Sequence, residues 1–145
     1  MAGSERSRAA ALRAEAIALI VRLLAGEKVD LNAIPVDLGE ASPLERKVYA
    51  AACRIPAGEV RTYGEIAREI GAPGAAQAVG AALGRNPVPI IVPCHRVLAS
   101  GGRSGGFTAP GGVATKFRML EIEGARRSGE AGLFDALPLA VKPSA

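Results

Sequence analysis

Aromatic residues, histidine and cysteine are all scarce in this sequence of 145 residues. Phe, Tyr and Trp together make up 3% of it and Trp is absent, so aliphatic side chains and alanine must fill most of any core. One histidine and two cysteines cannot complete a four-ligand zinc site without carboxylates, and we expect neither a metal nor a cofactor. Because nothing in the sequence implies secretion, we expect both thiols, Cys53 and Cys94, to be free.

Long hydrophobic runs are also missing. The longest apolar stretch extends from Ala16 to Ala25, contains Arg22 and is too short to cross a bilayer. The first residues lack the features of a secretory signal, so we expect a cytoplasmic protein with no membrane partner. Hydrophobic residues make up 49% and charged residues 22% of the chain, which excludes wholesale disorder and predicts one domain with an arm or a tail.

The net charge of +4 is moderate, and most of the cations are arginines. Arginine binds phosphate through two parallel hydrogen bonds, so the charge permits a nucleic-acid partner. On composition alone, a solubilising role is the simpler interpretation. Motifs must therefore decide the function.

Helix signals divide the chain into three parts. Residues 5–26 predict an Ala-rich helix that Gly26 ends, and residues 28–42 predict a linker that wraps around the rest of the molecule. Ser42 and Pro43 then mark the start of the next helix, as its N-cap and its first residue. We therefore expect an N-terminal helix and linker at 1–42, a main domain at 43–126 and a tail at 127–145.

Two apolar patches lie outside the main domain. The N-terminal helix has a broad apolar half, which we expect to pack on the rest of the molecule. The tail has one apolar patch before a Pro-, Lys- and Ser-containing end, and we expect it to dock weakly or to fray. The first patch consists of Ile17, Leu19, Ile20, Val21, Leu23 and Leu24, and the second of Leu133, Phe134 and Leu137.

Two short helices joined by a tight turn predict a helix-turn-helix. Thr62 and Glu65 form a capping-box pattern at the start of the first helix, which Gly71 ends. The second helix is rich in alanine, follows Pro73 and extends to Leu83. It has few side chains that could read base edges in a major groove, whereas small residues suit the narrow minor groove. Close packing against another helix would need the same small residues, so the motif alone does not establish DNA binding.

The candidate nucleophile is a cysteine that directly precedes the single histidine. Ile90 to Val92 predict a short buried strand, and Cys94 and His95 follow it. A free cysteine has a pKa of about 8.5 and needs a base or a positive neighbour to react at neutral pH. Adjacent residues of an extended strand point to opposite faces, so contact between the two would require a bridging water or a local turn. Glu123 or Glu121 could orient the imidazole. The alternative is a buried structural thiol beside a surface histidine.

The end of the main domain combines a loop with a last helix. A Gly-rich stretch at 101–112 predicts a mobile loop that carries Phe107 and Thr108. Residues 113–124 predict a helix that presents Phe117, Leu120 and Met119 inward.

Residues 86–97, which read NPVPIIVPCHRV, resemble the active-site signature of the O6-alkylguanine-DNA alkyltransferases. The similarity extends upstream over residues 55–67 and downstream from Gly111 to Glu123, so it covers about residues 43–124. The resemblance implies a mainly α fold with a short β element and a helix-turn-helix. It also implies DNA repair by direct damage reversal, in which a monomeric protein flips an O6-alkylguanine out through the minor groove of double-stranded DNA and takes the alkyl group irreversibly.

The resemblance also assigns catalytic roles. It makes Cys94 the alkyl acceptor and His95 its base, acting through a water molecule. Glu123 polarises His95. Asn86 links the helix-turn-helix to the active-site loop and orders that loop.

A second group of residues is expected to contact DNA or the damaged base. Tyr63 lies where the family has a tyrosine that pushes the target phosphate and hydrogen-bonds the flipped base. The backbone around Val97 and Thr108 is expected to contact guanine. The whole predicted set is Tyr63, Gln77, Arg96, Val97, Phe107 and Thr108.

The chain departs from the family pattern at three places. Gln77 lies where the family usually has an arginine that fills the gap left by the flipped base. Ala109 and Pro110 are inserted before Gly111, which would reshape the loop over the pocket. The separate N-terminal domain that is common in the family is expected to be reduced here to a helix and a linker.

Two other functions compete with alkyl transfer. Alkyltransferase-like proteins share this domain but bind the lesion without repairing it, and they usually replace the cysteine by tryptophan. Cys94 argues against that function, whereas Gln77 keeps it open. A cysteine hydrolase fits poorly, because the sequence has no separated histidine partner and no evident oxyanion hole.

Overall fold

The computed structural model describes residues 2–99 and 112–125, and it is mainly helical with a small two-stranded sheet. The predicted fold class is therefore confirmed. Phe107, Thr108, the inserted Ala109 and Pro110, and the tail lie outside the described residues. The helices are α1 (Ala2–Leu24), α2 (Pro43–Cys53), α3 (Tyr63–Glu69), α4 (Ala76–Gly84) and α5 (Gly112–Ile122), and the strands are β1 (Arg61–Thr62) and β2 (Val97–Leu98).

Side-chain caps fix the starts of α2 and α3, as the sequence predicts. The Ser42 hydroxyl accepts a hydrogen bond from the Glu45 backbone N–H (3.1 Å), and the Ser42 N–H donates to the Glu45 carboxylate (2.8 Å). The Thr62 hydroxyl likewise accepts from the Glu65 N–H (3.1 Å). Each cap satisfies a backbone donor that the first turn of a helix leaves unpaired. Since Thr62 also ends β1, the cap places Tyr63 at the first position of α3.

Two apolar clusters flank the candidate site. The larger one lies between α2, α3 and α4, and it includes Tyr49, whose hydroxyl donates to the Ala82 carbonyl (2.7 Å). The smaller one joins Val60 to the inner face of α5.

The predicted inward face of α5 is confirmed, because its three predicted residues, Phe117, Met119 and Leu120, are buried. β1 and β2 pair in parallel between the clusters, with Arg61 opposite Val97 and Thr62 opposite Leu98.

The N-terminal helix packs less extensively than predicted. Leu23 is buried, but Ile17, Val21 and Leu24 are 62%, 60% and 41% exposed. The expectation that the whole apolar half packs on the molecule is therefore wrong. The cause is geometric, since Ile17, Val21 and Leu24 lie on one face of α1 and Leu23 on another.

The segment after α1 does wrap around the main body. Leu31 and Ile34 of this segment are buried, and Val36 and Leu38 pack against the larger cluster. Among the described residues, no helix is long and apolar enough to span a membrane.

Candidate active site

Residues 86–92 form a closed loop, and the predicted strand at Ile90 to Val92 is wrong. Asn86 closes the loop from inside, because its side-chain N–H donates to the Val92 carbonyl (2.9 Å) and its side-chain oxygen accepts from the Val88 N–H (2.9 Å). Ile90 has a φ of 78°, a conformation that costs a β-branched residue roughly 1–3 kcal/mol. Pro87 and Pro89 lack the N–H groups that a strand ladder needs, so the chain turns here.

Cys94 and His95 lie in a single 3-10 turn, Cys94–Arg96, rather than on an extended strand. The Arg96 N–H donates to the Pro93 carbonyl (2.9 Å), which closes the turn. Both side chains are buried, with 4% of Cys94 and none of His95 exposed. The extended conformation, which would place the two side chains on opposite faces, is therefore absent, and the local turn that the sequence left as one possibility is present.

Glu123 is the carboxylate that orients the histidine. Its Oε2 lies 3.1 Å from Nε2 of His95, and its side chain is 1% exposed. Glu121, the other candidate, is exposed and pairs with Arg118. Glu123, in the turn after α5, points its carboxylate inward, whereas Glu121, in the last turn of α5, stays on the surface.

Arg96 holds Glu123 in place and is not exposed. Its Nε donates to Glu123 Oε1 (3.0 Å) and its Nη2 to Glu123 Oε2 (2.8 Å), while Nη1 donates to the Ile55 carbonyl (2.7 Å). Such a two-pronged pair fixes both oxygens of the carboxylate. Sequence reasoning placed Arg96 among the DNA-binding residues, whereas the structure places its guanidinium against Glu123 and Ile55.

The network sets the protonation of the buried pair. Burial alone would raise the pKa of Glu123, but hydrogen bonds from His95 and Arg96 outweigh it and lower the pKa to about 2. This carboxylate therefore stabilises the fold above a pH of about 4.5, and the contribution is lost as the pH falls toward 2. For His95 burial acts in the opposite direction, because the charged form is the protonated one. It lowers the pKa of the imidazole below its ordinary value, so the ring is neutral at neutral pH. A neutral ring that donates its Nε2 proton to Glu123 presents Nδ1 as a base.

The two cysteines differ in their surroundings, although both are free, as predicted. Burial raises the pKa of Cys94, and a hydrogen bond with Asn86 and the charge of Lys116 offset part of that increase. Burial also raises the pKa of Cys53, whose Sγ lies 3.9 Å from the Ile91 carbonyl. Cys94 has the imidazole as its chain neighbour, so one turn carries both the candidate nucleophile and the candidate base.

Lys116 lies at the candidate site, although sequence reasoning did not include it among the site residues. It is fully buried, its Nζ donates to the Val97 carbonyl (2.8 Å), and it lies 6.0 Å from the centroid of the Tyr63 ring. Burial lowers its pKa to about 8. Lys116 and Glu123 are seven residues apart, with Leu120 between them, and this spacing on one helix face was the available signal.

Tyr63 and Gln77 lie on neighbouring parts of the helix-turn-helix. The Tyr63 ring is half-buried against Gly80 of α4, where an added Cβ would lie 3.4 Å from the ring. Gln77 is exposed and three residues before Gly80, so the two share a face of α4. The absence of a side chain at Gly80 permits this close approach of the ring.

The fold and the site together define a helix-turn-helix domain that buries a thiol next to a histidine–glutamate–arginine network. The family described as 6-O-methylguanine DNA methyltransferase, DNA binding domain, matches residues 43–125. The chain belongs to this family.

Relatives and solved structures agree with that assignment. The chain is 46% identical over 111 residues to the methylated-DNA–protein-cysteine methyltransferase of Mycobacterium tuberculosis, which covers 77% of this chain and 65% of the relative. It is 43% identical over 100 residues to the Shigella flexneri protein of the same name, which covers 69% and 57%. The matched part thus spans less than two thirds of either relative.

Two solved structures with bound DNA have a similar fold. The M. tuberculosis OGT in complex with DNA superposes with a TM-score of 0.66 at 44% identity, over 74% of this chain and 63% of that one. The S. pombe Atl1 in complex with DNA containing O6-carboxymethylguanine gives a TM-score of 0.52 at 39% identity, over 61% and 82%.

Proposed function

We propose that this protein repairs DNA by accepting the alkyl group of O6-alkylguanine on Cys94, once and irreversibly. The observation that carries the proposal is the buried Cys94 directly before His95, whose imidazole is held by Glu123. The Cys94 thiolate attacks the alkyl carbon, an S–C bond forms, and the bond between that carbon and O6 breaks. The electron pair stays on O6, and a proton restores guanine. Family membership and the printed names of the relatives support this activity.

The proton of Cys94 passes to His95 Nδ1 through a water molecule in this proposal. Glu123 then stabilises the imidazolium, as a buried carboxylate does in a catalytic triad. Arg96 acts as a positioning residue for Glu123, in place of the DNA contact expected from the sequence. Asn86 fixes the loop that carries the nucleophile.

Double-stranded DNA is the proposed partner, bound through its minor groove by a single copy of the protein. The small residues of α4 suit a narrow groove, and Gln77 on that helix is exposed. Tyr63 lies beside α4, where it could press on the phosphate of the target nucleotide. The neighbours with bound DNA support this use of the fold.

Intact-protein mass spectrometry after incubation with duplex DNA containing O6-methylguanine tests the function. We expect one added methyl group per protein, located on the peptide that contains Cys94. Tight lesion binding without an adduct would instead support the non-enzymatic lesion binder. An adduct on Cys53 would contradict the assigned nucleophile.

Gln77→Arg is expected to accelerate repair in duplex DNA. An extruded guanine leaves a gap, and a charged arginine should stabilise the flipped state better than glutamine does. Unstacking costs a few kcal/mol, and each 1.4 kcal/mol or so changes the flipping equilibrium about tenfold. Single-turnover rates with duplex DNA should therefore rise in the variant.

The free base O6-benzylguanine is the control, because its reaction needs the pocket but no flipping. Its rate should barely change in the Gln77→Arg protein. Equal changes on both substrates would show that Gln77 acts on the pocket or the fold. Unchanged rates on both would show that Gln77 does not enter the duplex.

A further inference from the structure

An apolar groove lies behind the active-site loop. It consists of two adjoining cavities of about 330 Å³ each, which share Leu31, Cys53 and Ile91 among their lining residues. We call it the loop groove. Its apolar lining comes from the wrapping segment, the end of α2 and the active-site loop, and includes Leu31, Ile34, Cys53, Ile55, Ile90 and Ile91.

The described part of the chain ends beside this groove. Lys28 lines the groove, and its Nζ donates to the carbonyls of Ala57 (3.3 Å) and Glu123 (3.1 Å). Ala57 lines the groove as well, and Glu123 lies two residues before Ala125, the last residue that the structure describes. The sequence continues for 20 residues, 126–145.

The sequence of that continuation matches the groove in polarity. Leu133 and Phe134 form an apolar pair with acidic residues on both sides, Glu130 and Asp135. Two cations of the lining are already paired, Arg54 with Glu69 (2.9 Å) and Arg96 with Glu123 (2.8 Å). The remaining cation, Lys28, is matched by the acidic residue Asp30. The match between this segment and the groove therefore rests on the apolar pair and the apolar part of the lining.

The chain between Ala125 and Leu133 is long enough for Leu133 to reach the loop groove. Leu133 is eight residues beyond Ala125, and eight extended residues reach about 26 Å. A segment attached at the rim also has a high effective concentration at the groove, which favours it over a separate molecule.

We propose that Leu133 and Phe134 of this same chain bind in the loop groove. Ile90, Ile91 and Pro93 line the groove and lie directly before Cys94 in the chain. The bound pair therefore supports the active-site loop. Binding of the tail does not depend on alkyl transfer, and it is tested without DNA.

Cys53 provides the readout, because it lines the groove and becomes the only thiol after Cys94→Ser. In that background, the rate at which a maleimide modifies Cys53 reports access to the groove. The pair Leu133→Ser and Phe134→Ser should raise this rate at least about tenfold. The matched pair Leu139→Ser and Val141→Ser, in the same tail, should leave it unchanged. Equal rates in the two double variants would overturn the proposal.

A disulfide test identifies the occupant directly. With oxidised glutathione as the oxidant, Phe134→Cys in the Cys94→Ser background should form a disulfide with Cys53 within one chain, whereas Val141→Cys should not. A non-reducing gel separates the outcomes. Disulfides between two chains would mean that a second copy fills the groove, and equal cross-linking at both positions would mean that the tail has no preferred site. Either result would overturn the proposal.

Discussion

Replacing Cys94 by serine is expected to abolish alkyl transfer while lesion binding persists. A serine hydroxyl is similar in size to the thiol but far less nucleophilic, so single-turnover transfer should fall by at least about 10³-fold. Binding should remain, because Tyr63 and α4 are unchanged. The measurements are single-turnover transfer from duplex DNA containing O6-methylguanine, and fluorescence anisotropy with the same duplex.

Cys53→Ser is the matched control, since it makes the same chemical change at the other cysteine. Cys53 has no imidazole beside it, and burial raises its pKa. Its replacement should leave the transfer rate unchanged. Transfer that persists in Cys94→Ser, or that disappears in Cys53→Ser, would contradict the assignment of the nucleophile.

Local signals predicted the helices well because their ends depend on nearby residues. Ser42 and Thr62 cap α2 and α3 as expected, and each cap depends on contacts within four residues. The packing of α1 was not predictable in the same way. An apolar residue such as Val21 shows that a face can be buried, but it does not show whether a neighbour covers that face.

The sequence named the residues of the candidate site but did not predict their geometry. The signature at 86–97 identified Cys94 and His95, yet the β-branched run within it predicted a strand where the structure has a loop. Asn86 decides that geometry through side-chain bonds to Val88 and Val92, and such bonds are invisible to a pattern of apolar residues. The contact between Arg96 and Glu123 joins residues 27 positions apart, so only the fold reveals it.

The second large effect is expected when Glu123, which contacts both His95 and Arg96, is replaced. Glu123→Gln is expected to slow transfer at neutral pH by roughly 10²–10⁴-fold, the usual contribution of a positioned acid–base group. Glutamine keeps the size of the side chain, and its amide oxygen can still accept the proton of His95 Nε2. It has no charge to stabilise the imidazolium that forms when His95 takes the thiol proton. Single-turnover rates in both proteins measure the loss.

Stability must be separated from chemistry in this variant. Glu123→Gln leaves the buried guanidinium of Arg96 without its carboxylate, and breaking a buried pair in this way costs about 3–5 kcal/mol. Adding Arg96→Met removes the buried charge, so the free energy of unfolding should recover in part. The transfer rate should stay low in the double variant. A rate that recovers together with stability would mean that Glu123 acts only through the fold.

The pH profile of the transfer rate distinguishes two causes of a slower reaction. One is loss of the proton transfer from Cys94 to His95, and the other is a general loss of order in the site. The lowered pKa of His95 keeps the imidazole neutral and able to accept a proton at neutral pH, so the unchanged protein should show a level rate there. Without the charge of Glu123, the thiolate must form by direct ionisation of Cys94, whose pKa burial raises. The rate of Glu123→Gln should therefore increase about tenfold per pH unit from neutral pH upward. Parallel profiles, offset by a constant factor, would show that Glu123 does not act on the proton of Cys94.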